Sequence, residues 1–487
     1  MDDSTDGDSY HPRKHYAYDR QVSSSRWRTS REYIRGPGPE THTTESAQDG
    51  QDPPAGVYSY GYFSGSGNDP QVQGHFVPEI QKYNPYVIFK GEQLPVPIWE
   101  LPEEKVQDFH DRYFIAKDKS RVEARKTLNR LLEGNINTIE RGHGYKFNIP
   151  KYTDNMEFNE EVKVSLAKAG KTISRSFCNA NQREVASRTG YTIDLIERTL
   201  GAGLNISKRT VLYTNKDLFG DQSKSDQAIN DICALTNIRR GSLGIIAAEK
   251  GIVVGNIFLE LTNGKSISCS IGVQIPHRLD QIKDVCVEIG SRNIEYILVV
   301  EKHTMLNYLL EMDYHTNNNC IILTGCGMPT LQTRDFLRFL KQRTGLPVFG
   351  LCDPDPEGIS ILATYARGSC NSAYDNFNIS VPSICWVGLS SSDMIKLNLS
   401  ETNYSRLSRE DKTMLKNLWQ DDLSDVWKRR IEEMISFDKK ASFEAIHSLG
   451  FDYFATNLLP DMINKVREGY VQVQEKKEPQ DTEASED

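Results

Sequence analysis

Apolar positions along this chain change their period several times, and each change predicts a different kind of element. A helical period begins near Pro102 and is strong in SRVEARKTLNRLLEGN, where Leu128, Leu131 and Leu132 share a face with Val122 near it. A packed amphipathic helix is the simpler reading of that stretch. Further on, VKVSLAKAGKTISRSFCNANQREVASRT and TIDLIERTLGAG read as helical, with Gly201 and Gly203 as stop signals. SDQAINDICALTN reads as another helix, opened by Ser225 and Asp226 as cap residues. Two β-rich runs follow, SLGIIAAEK and GIVVGNIFLEL, joined at Glu249-Lys250-Gly251 as a hairpin-like pair. Helices followed by a β wing predict a winged-helix unit over residues 157–262, a variant of helix-turn-helix.

From 290 to 400 the period changes again. The apolar runs EYILVV, CIILTG, PVFGLCD and SICWVGL alternate with the helical stretches HTMLNYLLEM, TLQTRDFLRFLKQR and EGISILATYARG. Short apolar runs between helices predict a parallel sheet covered on both faces, so the fold class is α/β plus α+β. Residues 401–470 turn charged and helical, predicting an annex, and 471–487 form an acidic tail. Toward the other end, ten of the twenty prolines and ten glycines fall within residues 1–100. That composition buries too little apolar surface to offset ordering entropy, predicting a disordered arm over 1–75. Residues 76–156 read as an extended strap leading into the helical N-terminal region.

Composition alone argues against a nucleic-acid binder. The 487 residues carry 58 Lys+Arg against 67 Asp+Glu, a net charge of −9. Distribution changes that picture: residues 161–260 hold fourteen basic and ten acidic side chains, a local +4 that leaves −13 for the remainder. All nine cysteines lie between Cys178 and Cys385 without a CxxC pair, which suggests neither a disulfide framework nor a zinc site. The first residues, MDDSTDGDSY, are acidic where a secretory leader is basic and then apolar, and the longest apolar runs are too short and too charged to span a bilayer. A soluble intracellular protein without a membrane partner is the expectation.

Candidate chemistry concentrates at the carboxyl ends of the predicted parallel strands, where α/β sheets place their sites. Glu301 ends YILVV, and Asp353 and Asp355 follow PVFGLC in CDPDPEG. Carboxylates from two such strands make an all-oxygen cluster of the kind Mg²⁺ prefers, suited to phosphoryl transfer. Between them Gly325 and Gly327 flank Cys326 in a strand-to-helix turn that lets backbone approach a phosphate. No Walker A loop occurs in the chain. In SKRTVLY, Arg209 and Tyr213 are four residues apart and share a face of a helical turn, so both can reach one phosphate. A tyrosine hydroxyl can act as a covalent nucleophile where cations stabilise its developing charge. With 22 tyrosines in the chain, a merely packed or exposed Tyr213 is the simpler reading until context is added.

That context is a resemblance covering about 157–400. KRTVLYTNKDLFGDQSKSDQAINDICALTNIRRGSLGIIAAEKGIVVGNI, then YILVVEKHTML, ILTGCGMPTLQTRDFL and LCDPDPEGISI, resemble in order the motifs of the A subunit of type VI (type IIB) DNA topoisomerase and of its eukaryotic relatives, the meiotic double-strand-break transesterases. The phrase FGDQ and the missing ATPase region point to the meiotic branch. The resemblance implies a toprim domain at 290–400 and Tyr213 as the nucleophile on a DNA phosphate, leaving a 5′-phosphotyrosyl link. It implies Mg²⁺ held by Glu301, Asp353 and Asp355, with Arg209 stabilising the phosphate. Lys208, Arg239, Arg240, Gly325 and Gly327 are the expected DNA contacts. A homodimer with shared active sites on double-stranded DNA is implied as well. So are accessory meiotic proteins, a B-type topoisomerase-like subunit and a nuclear location.

The chain departs from the family pattern at Thr210, which stands where Asp is usual, and at Leu212, which replaces a second aromatic and leaves Tyr213 as the motif's one nucleophile. Cys326 occupies a turn position that often holds Lys. A toprim-type metal-dependent nuclease without tyrosine linkage and a catalytically inactive DNA-binding scaffold are the alternatives. Intact Tyr213, Arg209, Glu301, Asp353 and Asp355 weigh against both.

Overall fold

A computed structural model describes residues 98–474 apart from 247–249, 289–292, 421–422 and 424. The expected arm, most of the strap and nearly all of the tail lie outside the described residues.

The chain enters through helices α1 (Glu103–Arg112) and α2 (Arg121–Glu140). Ser120 caps α2 by accepting from the Glu123 amide while Glu123 answers the Ser120 amide, a capping box that fixes where the helix starts. Leu128 is buried and Leu131 and Leu132 pack against the same core, but Val122 is 76% exposed and lies off that face. Strand β1 (Tyr113–Phe114) pairs with β4 (Val164–Lys168), which pairs with β3 (Met156–Asn159); β2 (Lys146–Pro150) pairs with β5 (Thr172–Ser176), all antiparallel. Residues 164–176, expected to be helical, are therefore two strands. Val164 and Leu166 alternate inward, Gly170 turns the chain at φ +90°, and pairing with distant strands decides the state.

Helix α3 (Arg183–Gly201) follows as one continuous helix, then β6 (Ile206–Ser207), α4 (Lys208–Thr214), α5 (Lys216–Phe219) and α6 (Gln222–Thr236). The cap of α6 is Asp221, which accepts from the Lys224 amide, not Ser225 or Asp226. Ser225 is buried inside the helix with its hydroxyl on the Gln222 carbonyl. Ile193, Ile196 and Leu200 of α3, Val211 and Leu212 of α4, Phe219 of α5 and Ile229 and Ile232 of α6 close one core with Leu128 and Phe147.

Among the described residues the two runs of the expected hairpin do not pair with each other. Strand β7 (Ile245–Ile246) pairs in parallel with β6, whereas β8 (Ile252–Val254) joins a six-stranded sheet. Strands β9 (Ile257–Leu261), β10 (Ser266–Ser268) and β12 (Ile282–Val287) form a separate antiparallel sheet, and β11 (Val273–Gln274) pairs with β8 at the edge of the large one. The large sheet thus draws β8 from the stretch read as a wing.

The large sheet's parallel part is β13 (Tyr296–Val300), β14 (Cys320–Thr324), β15 (Val348–Leu351) and β16 (Ile384–Val387), each strand agreeing with the sequence expectation. The strand order is β11-β8-β14-β13-β15-β16. Alternation assigns the two faces. Ile297 and Val299 of β13 pack under Phe336, Leu337 and Leu340 of a helix at Leu331–Thr344, whereas Tyr296, Leu298 and Val300 pack under Met305, Leu306 and Leu309 of another at His303–Glu311. The annex adds to both covers: Leu415, Leu418, Trp427 and Ile431 on the first face, Phe443, Ile446, Phe454 and Leu459 on the second. Its last helix runs Leu459–Gln474, so residues 471–474 of the expected tail are helical. No described helix is long and apolar enough to cross a membrane.

Candidate active site

Strand order puts a switch point above β13. The chain leaves β13 to pair β14 on one side and later returns to pair β15 on the other, so the strand-end loops part over Glu301, where α/β sheets open a crevice. The Glu301 amide donates to the Leu351 carbonyl at 3.1 Å, setting the ends of β13 and β15 side by side. Glu301 Oε2 then accepts from the Asp353 amide at 3.0 Å. Asp355 opens helix α7 (Pro356–Arg367): its Oδ1 accepts from the Gly358 amide at 2.7 Å, with Pro356 in the first turn, where a missing N–H costs nothing. Two prolines and a helix cap, read from sequence as a turn, thus hold two carboxylates beside a third.

Crowding of these acids shows in their protonation. Burial, and then the nearby Asp353 carboxylate, push Glu301 up to about 7. Burial pushes Asp355 up to about 6, against the pull of the Gly358 amide. Asp353 is almost sealed from solvent and answered on every side. Lys302 Nζ lies 2.5 Å from its Oδ2, Ser442 Oγ donates to the same oxygen at 3.0 Å, and the Phe443 amide donates to Oδ1 at 3.1 Å. Lys302 is held up at about 12, its partial burial outweighed by the bond to Asp353 and the charge of Glu444. Among the described residues no three His, Cys, Asp or Glu side chains are gathered into a closed metal shell. Their donor set is nonetheless all oxygen, hard and mutually repelling, which is the chemistry a small divalent cation stabilises.

Sequence reasoning passed over Ser442, Phe443 and Glu444. They come from the annex, and no local spacing links them to a strand end about ninety residues earlier; Gly358 could have been found from the final letter of DPDPEG. The glycine turn folds over the same strand end: the Gly327 amide donates to the Glu301 carbonyl at 2.7 Å and Thr324 Oγ1 to that carbonyl at 3.2 Å. Gly327 sits at φ +88° and Cys326 at φ +52°. Gly325 is needed for space, since a Cβ there would come within 2.7 Å of the Tyr365 hydroxyl oxygen.

Helix α4 presents its charged and aromatic face outward. Val211 and Leu212 point into the core while Arg209 and Tyr213 are exposed, Tyr213 by 66%. Ser207 caps the helix by accepting from the Thr210 amide at 3.0 Å, and its hydroxyl lies 2.8 Å from Thr210 Oγ1, so Thr210 is spent on the cap. Lys208 pairs with Asp226 at 2.5 Å. Among the described residues no hydrogen bond or ion pair joins Tyr213 to Glu301, Asp353 or Asp355. Of the expected DNA contacts Arg239 and Arg240, Arg240 is buried and the Arg239 side chain is 14% exposed. The Arg239 guanidinium meets Asp118 at 2.9 Å, Asp335 at 2.9 Å and Asp375 at 2.8 Å, because these acids need a counter-charge where the helical unit rests on the sheet.

Comparison with known proteins places this geometry. The Toprim domain of the topoisomerase 6 A-subunit and Spo11 proteins matches residues 296–463, taking in much of the annex, and the type IIB DNA topoisomerase domain matches 185–245. The A3 subunit of DNA topoisomerase 6 from Oryza sativa subsp. indica is 31% identical over 355 residues, covering 72% of this chain and 79% of that protein. Meiotic recombination protein SPO11-1 of the same plant is 34% identical over 282 residues, 56% of this chain and 72% of that protein. Meiotic recombination protein SPO11 of Homo sapiens is 26% identical over 353 residues, covering 71% and 88%.

Proposed function

Because this chain belongs to the family of Spo11 and the topoisomerase 6 A-subunits, and is therefore a type IIB topoisomerase-like enzyme, we propose that it cleaves double-stranded DNA by transesterification to start meiotic recombination. Exposure of Tyr213 beside Arg209 on a capped helix is the observation that carries the reading. The Tyr213 hydroxyl oxygen attacks a backbone phosphorus, the bond from phosphorus to the 3′ oxygen breaks, and the phenolic proton is replaced on that oxygen through solvent. A 5′-phosphotyrosyl ester and a free 3′-hydroxyl result. One ester replaces another, so the cleavage step consumes no nucleotide. Arg209, on the same face, binds the phosphate and answers the charge that grows on it.

Glu301, Asp353 and Asp355 would hold Mg²⁺, which when bound supplies Lewis-acid stabilisation of phosphate oxygens. The chain's own part is to hold these carboxylates together against their repulsion, through the Phe443 amide, Ser442 and the cap of α7. Among the described residues no hydrogen bond or ion pair joins Tyr213 to these acids, which fits a homodimer sharing its sites, working in the nucleus with accessory proteins and a B-type subunit. Helices α3 to α6 are read as the helical part of a winged-helix DNA-binding unit. Gly325, with no room for a Cβ, and Gly327, at positive φ, let the backbone of this turn approach a phosphate closely, and Lys208 contributes charge near Tyr213.

The test is Tyr213→Phe. The variant is expected to fold, because the side chain is exposed, and to form no covalent protein–DNA complexes in meiotic cells. Complexes that persist in it would falsify the tyrosine assignment.

A further inference from the structure

One ammonium group in this site has two carboxylate hosts. Lys302 Nζ lies 2.5 Å from Asp353 Oδ2 and 3.3 Å from Glu444 Oε2, and donates to Ser442 Oγ between them at 3.0 Å. The hosts differ in character. Asp353 has a side chain only 5% exposed, whereas Glu444 is 51% exposed and is steadied by Thr304 Oγ1 at 3.3 Å. Ser442 Oγ is within reach of both acids but carries one proton, so it donates to only one of them at a time. A buried carboxylate among other acids needs a counter-charge. A lysine provides a compact one on a flexible stem, with three donors that can turn without losing all partners.

We propose that Lys302 is the exchangeable counter-ion of this site, seated on Asp353 while no divalent cation is bound and passed to Glu444 when one enters. The idea rests on the reading of Glu301, Asp353 and Asp355 as metal ligands and adds two positioning residues to it. The Lys302 ammonium already occupies Asp353 Oδ2, an oxygen that a cation held among these acids would compete for. Glu444 gives the displaced charge a place to stay, so metal entry does not release an unpaired ammonium beside the incoming ion. Ser442 remains bonded to Lys302 in both states, its single proton free to turn between the Asp353 and Glu444 oxygens. The annex therefore takes part in loading the site as well as covering the sheet.

Mn²⁺ binding to the purified full-length chain, followed by the electron paramagnetic resonance signal of the free ion, tests the exchange. Lys302→Met is expected to tighten binding about tenfold, the scale on which one adjacent opposite charge favours an ionised carboxylate. Glu444→Gln is expected to weaken it roughly two- to fivefold, as suits loss of a part-exposed ion pair. The double variant should bind like Lys302→Met alone, because Glu444 acts only through the lysine. A double variant weaker than Lys302→Met makes Glu444 a direct ligand and overturns the exchange, as does unchanged or weaker binding by Lys302→Met. Should Lys302→Met not fold, unchanged binding by Glu444→Gln decides against the idea by itself. Asp353→Asn separates the two levels: wild-type Mn²⁺ affinity there removes the metal reading, whereas loss there with an indifferent Lys302→Met removes the exchange alone.

Discussion

A methyl group at position 358 would lie 2.7 Å from the Asp353 carbonyl oxygen and 2.8 Å from Glu301 Oε2. Both are closer than a Cβ can approach, and one is the carboxylate proposed to bind metal. Gly358→Ala should therefore push Glu301 out of place or tilt the first turn of α7, costing about 1–3 kcal/mol of stability as overpacking does. Thermal unfolding together with Mn²⁺ titration checks this; full stability with wild-type affinity would show that the turn yields without moving Glu301. Residue identity also made the chemistry legible early. Glu301, Asp353 and Asp355 could be picked out because each sits at or just past a strand end, whereas Tyr213 was singled out among 22 tyrosines by the family resemblance. Arg239 could not be judged that way, since its three acids come from three distant segments.

At the scale of elements, capping and end effects give separable predictions. Asp221→Ala removes the acceptor for the Lys224 amide at the start of α6 and should cost about 1 kcal/mol in denaturant unfolding, with the core otherwise intact. Toward the end of the helix Leu331–Thr344, the buried Lys341 amine donates to the carbonyls of Gly345 and Leu346 at 3.2 and 2.8 Å, and burial lowers it to about 8 from 10.5. The unfolded chain then holds that proton between about pH 8 and 10.5 where the folded chain has released it. Stability contributed by this group accordingly rises with pH across that window. Subtracting the unfolding profile of Lys341→Met from that of the wild type should leave a rising difference above about pH 8; a flat difference would place the amine at its ordinary value. Helices with strong caps were legible, and so were the four parallel strands, whose apolar runs are buried on both faces. The stretch 164–176 was not, because its Ala and Lys content favours a helix locally while pairing with β1, β2 and β3 rewards a strand.

Across the described fold Arg239 joins three distant segments, Asp118 near the start of α2, Asp335 on the sheet-covering helix and Asp375 beyond α7. Arg239→Gln leaves the buried Asp375 and the part-buried Asp335 without their counter-charge, and should destabilise the fold by about 1–3 kcal/mol, measured as a lower denaturant midpoint. Asp118→Asn, at the 72% exposed end of the same junction, should cost less than about 1 kcal/mol. Shared sites make a further prediction at this scale. Mixing Tyr213→Phe chains with Glu301→Gln chains should yield dimers with one intact hybrid site and one dead one, visible as single-strand nicks with covalent protein. If each site were contained in one chain, the mixed dimers would cut nothing.

Local pattern by itself determined the alternation that builds the parallel sheet and the strand-end acids, because each depends on residues a few positions apart. Only tertiary structure decided that β8 belongs to the sheet instead of a hairpin, that Arg239 is a part-buried junction, and that the annex lends Ser442, Phe443 and Glu444 to Asp353. Those outcomes depend on which distant segments compete for the same edge, charge or cavity, and that competition is settled by packing and by the cost of leaving a buried polar group unpaired.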